Sequence, residues 1–339
     1  MINRAHGGNV WPHFGNSKIT DFSANINPLS VPPKVKEIIA ENIDKLKHYP
    51  DPESKGLKKA LALSCRVSSS NLLVGNGSIE LIYLILQALR PKNVLIPSPT
   101  FSEYEFASRI NGAQPVFAGA KENDGFRIDL SRFKKLIPQA EAVFLCNPNN
   151  PTGTLLSRKE IMPVVNLCSK NKVMLIIDEV FMDFLPQRGE FTLTLEAVRN
   201  KNLLILKSLT KIFAIAGLRL GYLIGHAKVI NRIAKFQHPW NVNSLAQIVG
   251  QEVIKDKKYI RQSQGLIYRE KAYLFDNLAR IKGLKIYPSA ANFFLCKLEG
   301  ARIKDAHNLS KKLIRRGILI RNCHNFRGLN NKFFRIAVR

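Results

Sequence analysis

Four stretches of this 339-residue chain place polar residues where an apolar run ends, and each could do chemistry. In LLVGNGSIELIYLIL, Gly75-Asn76-Gly77-Ser78 separate an apolar run from a helical pattern. Glycines let a backbone approach an anion, and the free N–H groups of a first helical turn, with Ser78 and the helix dipole, make a phosphate cradle. The same residues also make an ordinary strand-to-helix turn, and neither GxGxxG nor a P-loop GxxxxGK[ST] is present. In AVFLCNPNNPTG, Asn147 to Gly153 read either as a rigid turn or as a frame whose prolines aim the Asn150 amide across the strand ends. VMLIIDEVFMDF closes an apolar run with Asp178-Glu179. A carboxylate there is costly unless it meets a cation, which is either a Lys or Arg of the chain or a heterocyclic nitrogen that Asp178 would keep protonated. Finally, LLILKSLTKIFAIAGLRLGYLIG holds Ser208, Lys211 and Arg219. Most of the 52 Lys and Arg must be solvated, but Lys211 is followed by Ile212, Phe213, Ile215 and Ala216. Desolvation lowers an amine's pKa toward nucleophilicity, and such a lysine can form a Schiff base.

Together these ends supply an anion cradle with an Arg and a Ser, an amide, a buried Asp and a poised Lys. That set fits pyridoxal 5′-phosphate: phosphate to the helix start, ring nitrogen to Asp178, 3′-oxygen to Asn150 and aldehyde to Lys211.

The elements that must position these residues follow from the apolar runs. LLV at 72, NVLIP at 93, AVFLCNP at 142, VMLIIDE near 174, LLILKS at 203 and GYLIG at 221 lack alternation, as strands buried on both faces do. SIELIYLILQALR and SRKEIMPVVNLCSK have helical spacing. The order predicts an α/β fold whose large domain, 46–250, holds a mostly parallel sheet with helices on both faces. Ligands of such sheets bind beyond the strands' carboxyl ends, where the four stretches lie. Beyond residue 250 the chain shifts to long basic helices and short strands (FFLCKL, GILIR, FFRIAV), which predicts a smaller α+β domain from 251–339 together with 1–45.

Composition excludes several classes. With 45% hydrophobic and 23% charged residues the chain is globular, and no apolar stretch approaches the ~20 residues of a membrane span. The start lacks a signal-peptide core, so the expected location is the cytoplasm. Five dispersed cysteines without CxxC or a Cys/His comb predict neither a disulfide framework nor a metal site. The net charge of +27 is unusual, but its cations are sprinkled and no nucleic-acid-binding signature accompanies them.

The motifs NPNNPTG, DEVFMDF and SLTKIFAIAGLRLGY, in this order, resemble those of the fold-type I pyridoxal-phosphate enzymes of the aspartate aminotransferase class, across essentially the whole chain. The resemblance implies that Lys211 carries the cofactor aldehyde, Asp178 partners the pyridinium and Asn150 reaches the 3′-oxygen. Ser208 and Arg219 join Gly77, Ser78 and Ile79 around the phosphate. Tyr104, in PTFSEYE, matches the aromatic that stacks on the ring. Tyr49, in KHYPDP, matches a tyrosine that reaches the neighbouring subunit's phosphate, which implies a homodimer. Regulators of this family that bind nucleic acid carry a winged-helix domain ahead of the fold, which here is expected to begin at the first residues. No nucleic-acid partner is therefore expected.

Two branches compete: histidinol-phosphate aminotransferases and the threonine-phosphate decarboxylases of cobalamin synthesis. AHGGN, DFSANINPL, IRNCHNFRGL and FFRIAVR are similar to the decarboxylases, as is Phe181, where the aminotransferases usually have Tyr. The expected substrate is L-threonine O-3-phosphate, giving (R)-1-amino-2-propanol phosphate; L-serine O-phosphate differs by one methyl and stays open. Only a bond perpendicular to the cofactor ring overlaps its π-system, so the group held there decides between CO₂ loss and transamination. By the family match Arg335 clamps the carboxylate, and Arg321 and His6, with Asn27 nearby, are the candidates for the substrate phosphate. Lys211, once freed, is the acid that returns a proton to Cα.

Overall fold

The computed structural model describes residues 6–13, 19–300 and 303–339. Its strands, in chain order, are β1 Thr20–Asp21, β2 Leu72–Asn76, β3 Asn93–Ser98, β4 Gln114–Gly119, β5 Ala142–Cys146, β6 Met174–Asp178, β7 Leu203–Ser208, β8 Leu220–Ile224, β9 Leu284–Ile286, β10 Phe293–Leu298, β11 Ile318–Leu319, β12 Arg321–Asn322 and β13 Phe333–Ala337.

β2 to β8 form one seven-stranded sheet in the order β2-β8-β7-β6-β5-β3-β4. All six apolar runs become strands of it, and side chains alternate between two cores. Leu175 and Ile177 face one core and Ile176 the other, each at most 1% exposed. The mostly parallel α/β architecture is present, with two features the sequence reading lacked. β4 is an edge strand, QPVFAG, tolerating Pro115 because one of its sides has no ladder partner. β8 runs antiparallel to both β7 and β2. Only residues 209–219 join it to β7, too few for the helical crossover a parallel return needs.

The helices form where the sequence signals them. Arg158–Lys170 starts at a capping box in which Ser157 and Glu160 satisfy each other's backbone N–H. Gly77–Leu89 packs Leu81, Ile82, Ile85 and Leu86 under the sheet.

A second, antiparallel sheet has the order β12-β13-β10-β9, and β1 pairs in parallel with β11. Helices Lys257–Ala279 and Ala306–Ile314 cover one face of this region over a core of Phe294, Leu298, Ile320 and Phe334. The N-terminal part divides: β1 joins β11, whereas helix Pro33–Asn42 packs on helix Ser244–Val253. The connecting loop is tied down from the far end of the chain. Arg339 donates from Nε to Asp21 O (2.5 Å), from Nη1 to Ile26 O (3.0 Å) and from Nη2 to Ala24 O (3.1 Å). No helix among the described residues is long and apolar enough to cross a membrane.

Candidate active site

The carboxyl ends of β2, β5, β6 and β7 meet the loop at 23–25 and strands β12 and β13 around a cavity of about 300 Å³. Its wall includes Gly77, Ser78, Ile79, Asn150, Asp178, Lys211, Arg219, Arg321, Arg335 and His6.

The anion cradle lies at the start of helix Gly77–Leu89. Gly77 has φ +78°, a backbone conformation that favours glycine, and a Cβ there would lie 2.6 Å from Nη2 of Arg219 and displace that guanidinium from the cradle. Gly221 is as constrained, since a Cβ would lie 2.5 Å from the Ser78 nitrogen. Arg219 itself takes φ +58°, an uncommon conformation for a side-chain-bearing residue, and its guanidinium comes over Gly77. Ser208 caps the short helix Leu209–Ile212 and is off the wall; its Oγ is 2.6 Å from Thr210 Oγ1, and Thr210 is the residue that lines the cavity.

The asparagines of NPNNPTG separate by task. Asn147 and Asn149 are spent on the loop, Asn147 exchanging bonds with Leu156 (3.0 and 2.8 Å) and Asn149 donating to Pro99 O (2.9 Å) and Thr152 Oγ1 (2.8 Å). Asn150 faces the cavity, its Oδ1 accepting from Arg335.

Of the two acids that close β6, Glu179 takes the salt bridge and Asp178 does not. Glu179 is 2.8 Å from Lys207 Nζ on the opposite face of the sheet. Asp178, 4% exposed, accepts from Tyr104 Oη (2.6 Å) and Val180 N (3.0 Å) and has no ion pair among the described residues. Burial pushes its carboxyl up to about 6 despite the Tyr104 hydrogen bond. Lys211 moves the other way: burial first, then the charges of Arg335 and Arg219, bring its amine down to about 8, against the pull of Asp178. A buried acid without an ion-pair partner among the described residues and a desolvated amine on one wall, beside an anion cradle, are the partners a protonated pyridine aldehyde phosphate requires. The residues present therefore fit that cofactor.

Arg335 and Arg321 stand directly opposite each other on β13 and β12, both 5% exposed. Arg335 Nη2 donates to Ser23 O (2.7 Å), while its buried Nε has no partner among the described residues. Burial lowers it to about 10, with Arg321 contributing in the same direction. Arg321 donates to Asn322 O (2.5 Å) and Asn325 Oδ1 (2.8 Å), and burial lowers it too. Like charges in register across two strands are unfavourable, so this pair is built for anions. Asn25, on the same wall, has its Oδ1 buried and without a partner among the described residues.

Two sequence expectations need correction. Tyr104 does not face the cavity: it is fully buried, stacked on Phe144 at 4.7 Å, beneath Asp178. Phe101 takes the wall position instead, because the helix starting at Glu103 carries position 104 down into the core. Asn27 is not at the phosphate site either. Its Nδ2 donates to Ile212 O (2.6 Å), Ser263 Oγ (2.6 Å) and Tyr259 Oη (3.1 Å), and its backbone N–H to Lys211 O (3.1 Å), so it braces the lysine turn from behind. Asn25, two residues earlier, takes the wall position. Tyr49 is 78% exposed and stacked on Trp240 at 4.6 Å, apart from the cavity.

His6 does reach the cavity, its Nε2 2.9 Å from Glu103 Oε1. Gly7 lies so close to the 23–25 loop that a Cβ would be 2.0 Å from Ser23 O, and Gly8 N donates to Ser23 Oγ (2.7 Å). Of AHGGN, Ala5 lies outside the described residues. Phe101, Thr210, Ser23 and Asn25 are wall residues the sequence reading missed, although each sits inside a motif it had marked.

Comparisons with known proteins identify the family. A threonine-phosphate decarboxylase of Salmonella typhimurium is 35% identical, covering 100% of this chain and 93% of its own length. A histidinol-phosphate aminotransferase of Caldanaerobacter subterraneus is 36% identical over 91% of this chain and 85% of its own. The crystal structure of the histidinol-phosphate aminotransferase from Clostridium acetobutylicum superimposes with a TM-score of 0.86 at 32% identity, covering 94% and 93% of the two chains. The family model described as aminotransferase class I and II matches residues 17–339. With cradle, acid, amine and paired arginines in place, this chain belongs to the aminotransferase class I and II family, whose members depend on pyridoxal 5′-phosphate.

Proposed function

We propose that this protein decarboxylates L-threonine O-3-phosphate to (R)-1-amino-2-propanol phosphate, a reaction of cobalamin biosynthesis. One observation carries the reading: the match to a threonine-phosphate decarboxylase runs over the whole chain, and its amino-terminal HGG turn packs against Ser23 at the cavity. The apolar Phe181 on the wall supports the same choice. Beside the Arg219 cradle, two further buried arginines face each other into the same small cavity, which suits a substrate with a phosphate and a carboxylate; the dianion 2-oxoglutarate of the aminotransferase reaction suits them as well.

In this reading Gly77, Ser78, Ile79, Thr210 and Arg219 hold the cofactor phosphate, with Ser208 behind them; Asn150 donates to its 3′-oxygen, and Phe101 covers its ring. Bound there, the cofactor supplies an electron sink for negative charge at the substrate's Cα. Asp178 keeps a proton on the ring nitrogen, for which a carboxyl at about 6 is ionised at neutral pH. Arg335 fixes the carboxylate, and Arg321 and His6 the phosphate, so that the bond to the carboxylate is the one held for cleavage. Lys211, near 8, has a neutral fraction able to act as a nucleophile at physiological pH and later returns a proton to Cα. The protein acts as a homodimer, with Tyr49 donated to the partner's cofactor phosphate; the exposed Tyr49, Trp240 and Leu46 support such an interface. Residues 46–250, with helix Pro33–Asn42 packed on helix Ser244–Val253, form the large domain, and β1 with 251–339 the small one.

The purified protein, loaded with cofactor, should release CO₂ from L-threonine O-3-phosphate without forming a keto acid. Amino transfer from histidinol phosphate to 2-oxoglutarate, without CO₂ release, would overturn the proposal in favour of the aminotransferase. Turnover of L-serine O-phosphate at a higher rate would reassign the substrate, a choice that a single methyl governs by about 1 to 3 kcal/mol.

A further inference from the structure

Behind the active-site strands lies a buried ion pair that the proposed reaction does not use. Lys207 and Glu179 have side chains 6% and 1% exposed, with Nζ and Oε2 2.8 Å apart. Glu179 also accepts from Thr192 Oγ1 (2.6 Å) and Leu193 N (3.1 Å). Each member adjoins a residue of the site: Glu179 follows Asp178, and Lys207 precedes Ser208. The strands are locked at that point, since Asp178 is in register with Leu206 and Glu179 N donates to Leu206 O at 2.8 Å.

The two faces carry different charges. On the cavity side Asp178 meets Tyr104 from helix Glu103–Ile110, Cys146 from β5 and Lys211 from helix Leu209–Ile212. On the far side the ion pair is surrounded by Asp183, its partner Arg188, Cys65 and Tyr222. Glu179 is a like charge next to Asp178 and works against its ionisation. Lys207 answers that charge, and Glu179 in turn holds the ammonium protonated although its burial alone would discharge it.

We propose that Lys207 is a positioning residue of this active site: its ammonium cancels the Glu179 charge through the sheet, so that Asp178 keeps a carboxylate facing the cavity. The proposal rests on the reading of Asp178 as partner of the cofactor's ring nitrogen. Its test is the pH titration of the visible absorption band of the protein loaded with pyridoxal 5′-phosphate, measured without substrate. Lys207→Met leaves the acid uncompensated and should move the midpoint up; Glu179→Gln leaves the ammonium uncompensated and should move it down. Two unit charges on the order of 10 Å apart at an effective dielectric near 20 interact by roughly one pH unit, the size expected of each shift. The double variant, neutral and similar in shape, should return to within about 0.2 of the parent.

A role in packing alone cannot produce opposite signs that cancel. Shifts of one sign, or a double variant that sums the two single effects, would therefore refute the inference. Should Lys207→Met fail to fold, Glu179→Gln and the double variant still decide it. Asp178→Asn separates this inference from the reading beneath it. If Asp178→Asn leaves the titration unchanged, the ring-nitrogen assignment fails. If Asp178→Asn moves the midpoint while Glu179→Gln does not, only the role of Lys207 fails.

Discussion

Replacing Arg335 by Gln separates substrate capture from folding. The guanidinium spends Nη1 on Asn150 and Nη2 on the Ser23 carbonyl, which leaves its positive charge and an unpartnered Nε for an incoming carboxylate. Glutamine retains an amide donor for one of the two oxygens but carries no charge. A hydrogen bond to a charged group contributes about 1.5 to 3 kcal/mol, and truncating a buried charged pair costs somewhat more, so the transition state should lose about 2 to 4 kcal/mol. That corresponds to a fall of roughly 30- to 1000-fold in kcat/KM for L-threonine O-3-phosphate. Stability should change far less, by no more than about 1 kcal/mol, because the variant also removes a cation facing Arg321. The assays are CO₂ release at varied substrate and a urea midpoint on the same preparation. A kcat/KM within threefold of the parent would refute the clamp, and an unfolding loss as large as the catalytic loss would show that Arg335 only braces the loop.

Three further outcomes follow from the geometry. Asp178→Asn should raise the stability of the cofactor-free protein at pH 7 by about 2 to 3 kcal/mol, and should abolish turnover in the protein loaded with cofactor. The folded carboxyl lies near 6 against an ordinary 3.8, so the stability this group contributes is full below 3.8 and is lost as pH rises through 6. The gain should therefore vanish near pH 4 in pH-dependent urea unfolding. Lys211→Ala should remove the visible absorption of the bound cofactor and leave the circular dichroism unchanged; borohydride reduction of the parent should label the peptide containing residue 211, and a label elsewhere would overturn the assignment. Gly77→Ala forces a Cβ to 2.6 Å from Arg219 at φ +78°, and should cost about 1 to 2 kcal/mol in stability and at least tenfold in cofactor affinity, read by equilibrium dialysis.

Much of this site was legible because its strands are buried on both faces. An unbroken apolar run followed by one polar residue marks a strand end, and Asp178, Asn150 and Lys211 were found that way. What the sequence could not show was direction across a turn. Phe101 and Tyr104 lie three residues apart in one motif, and only the entry angle of helix Glu103–Ile110 decides which ring reaches the cavity. The choice between Asn25 and Asn27 likewise depended on a loop shaped from afar by Arg339. Asp178 and Glu179 differ by which side of the sheet each takes, and composition offers no sign of where Lys207 points. β4 escaped notice because an edge strand is permitted a proline and need not be uniformly apolar.

The three carbonyl oxygens held by Arg339 have a practical consequence. One distant side chain fastens the turn that places Ser23 and Asn25 on the wall, so Arg339→Ala would slacken that wall without touching any residue that lines it. That variant should show weakened ligand affinity in an otherwise folded molecule, a defect easily mistaken for poor cofactor loading.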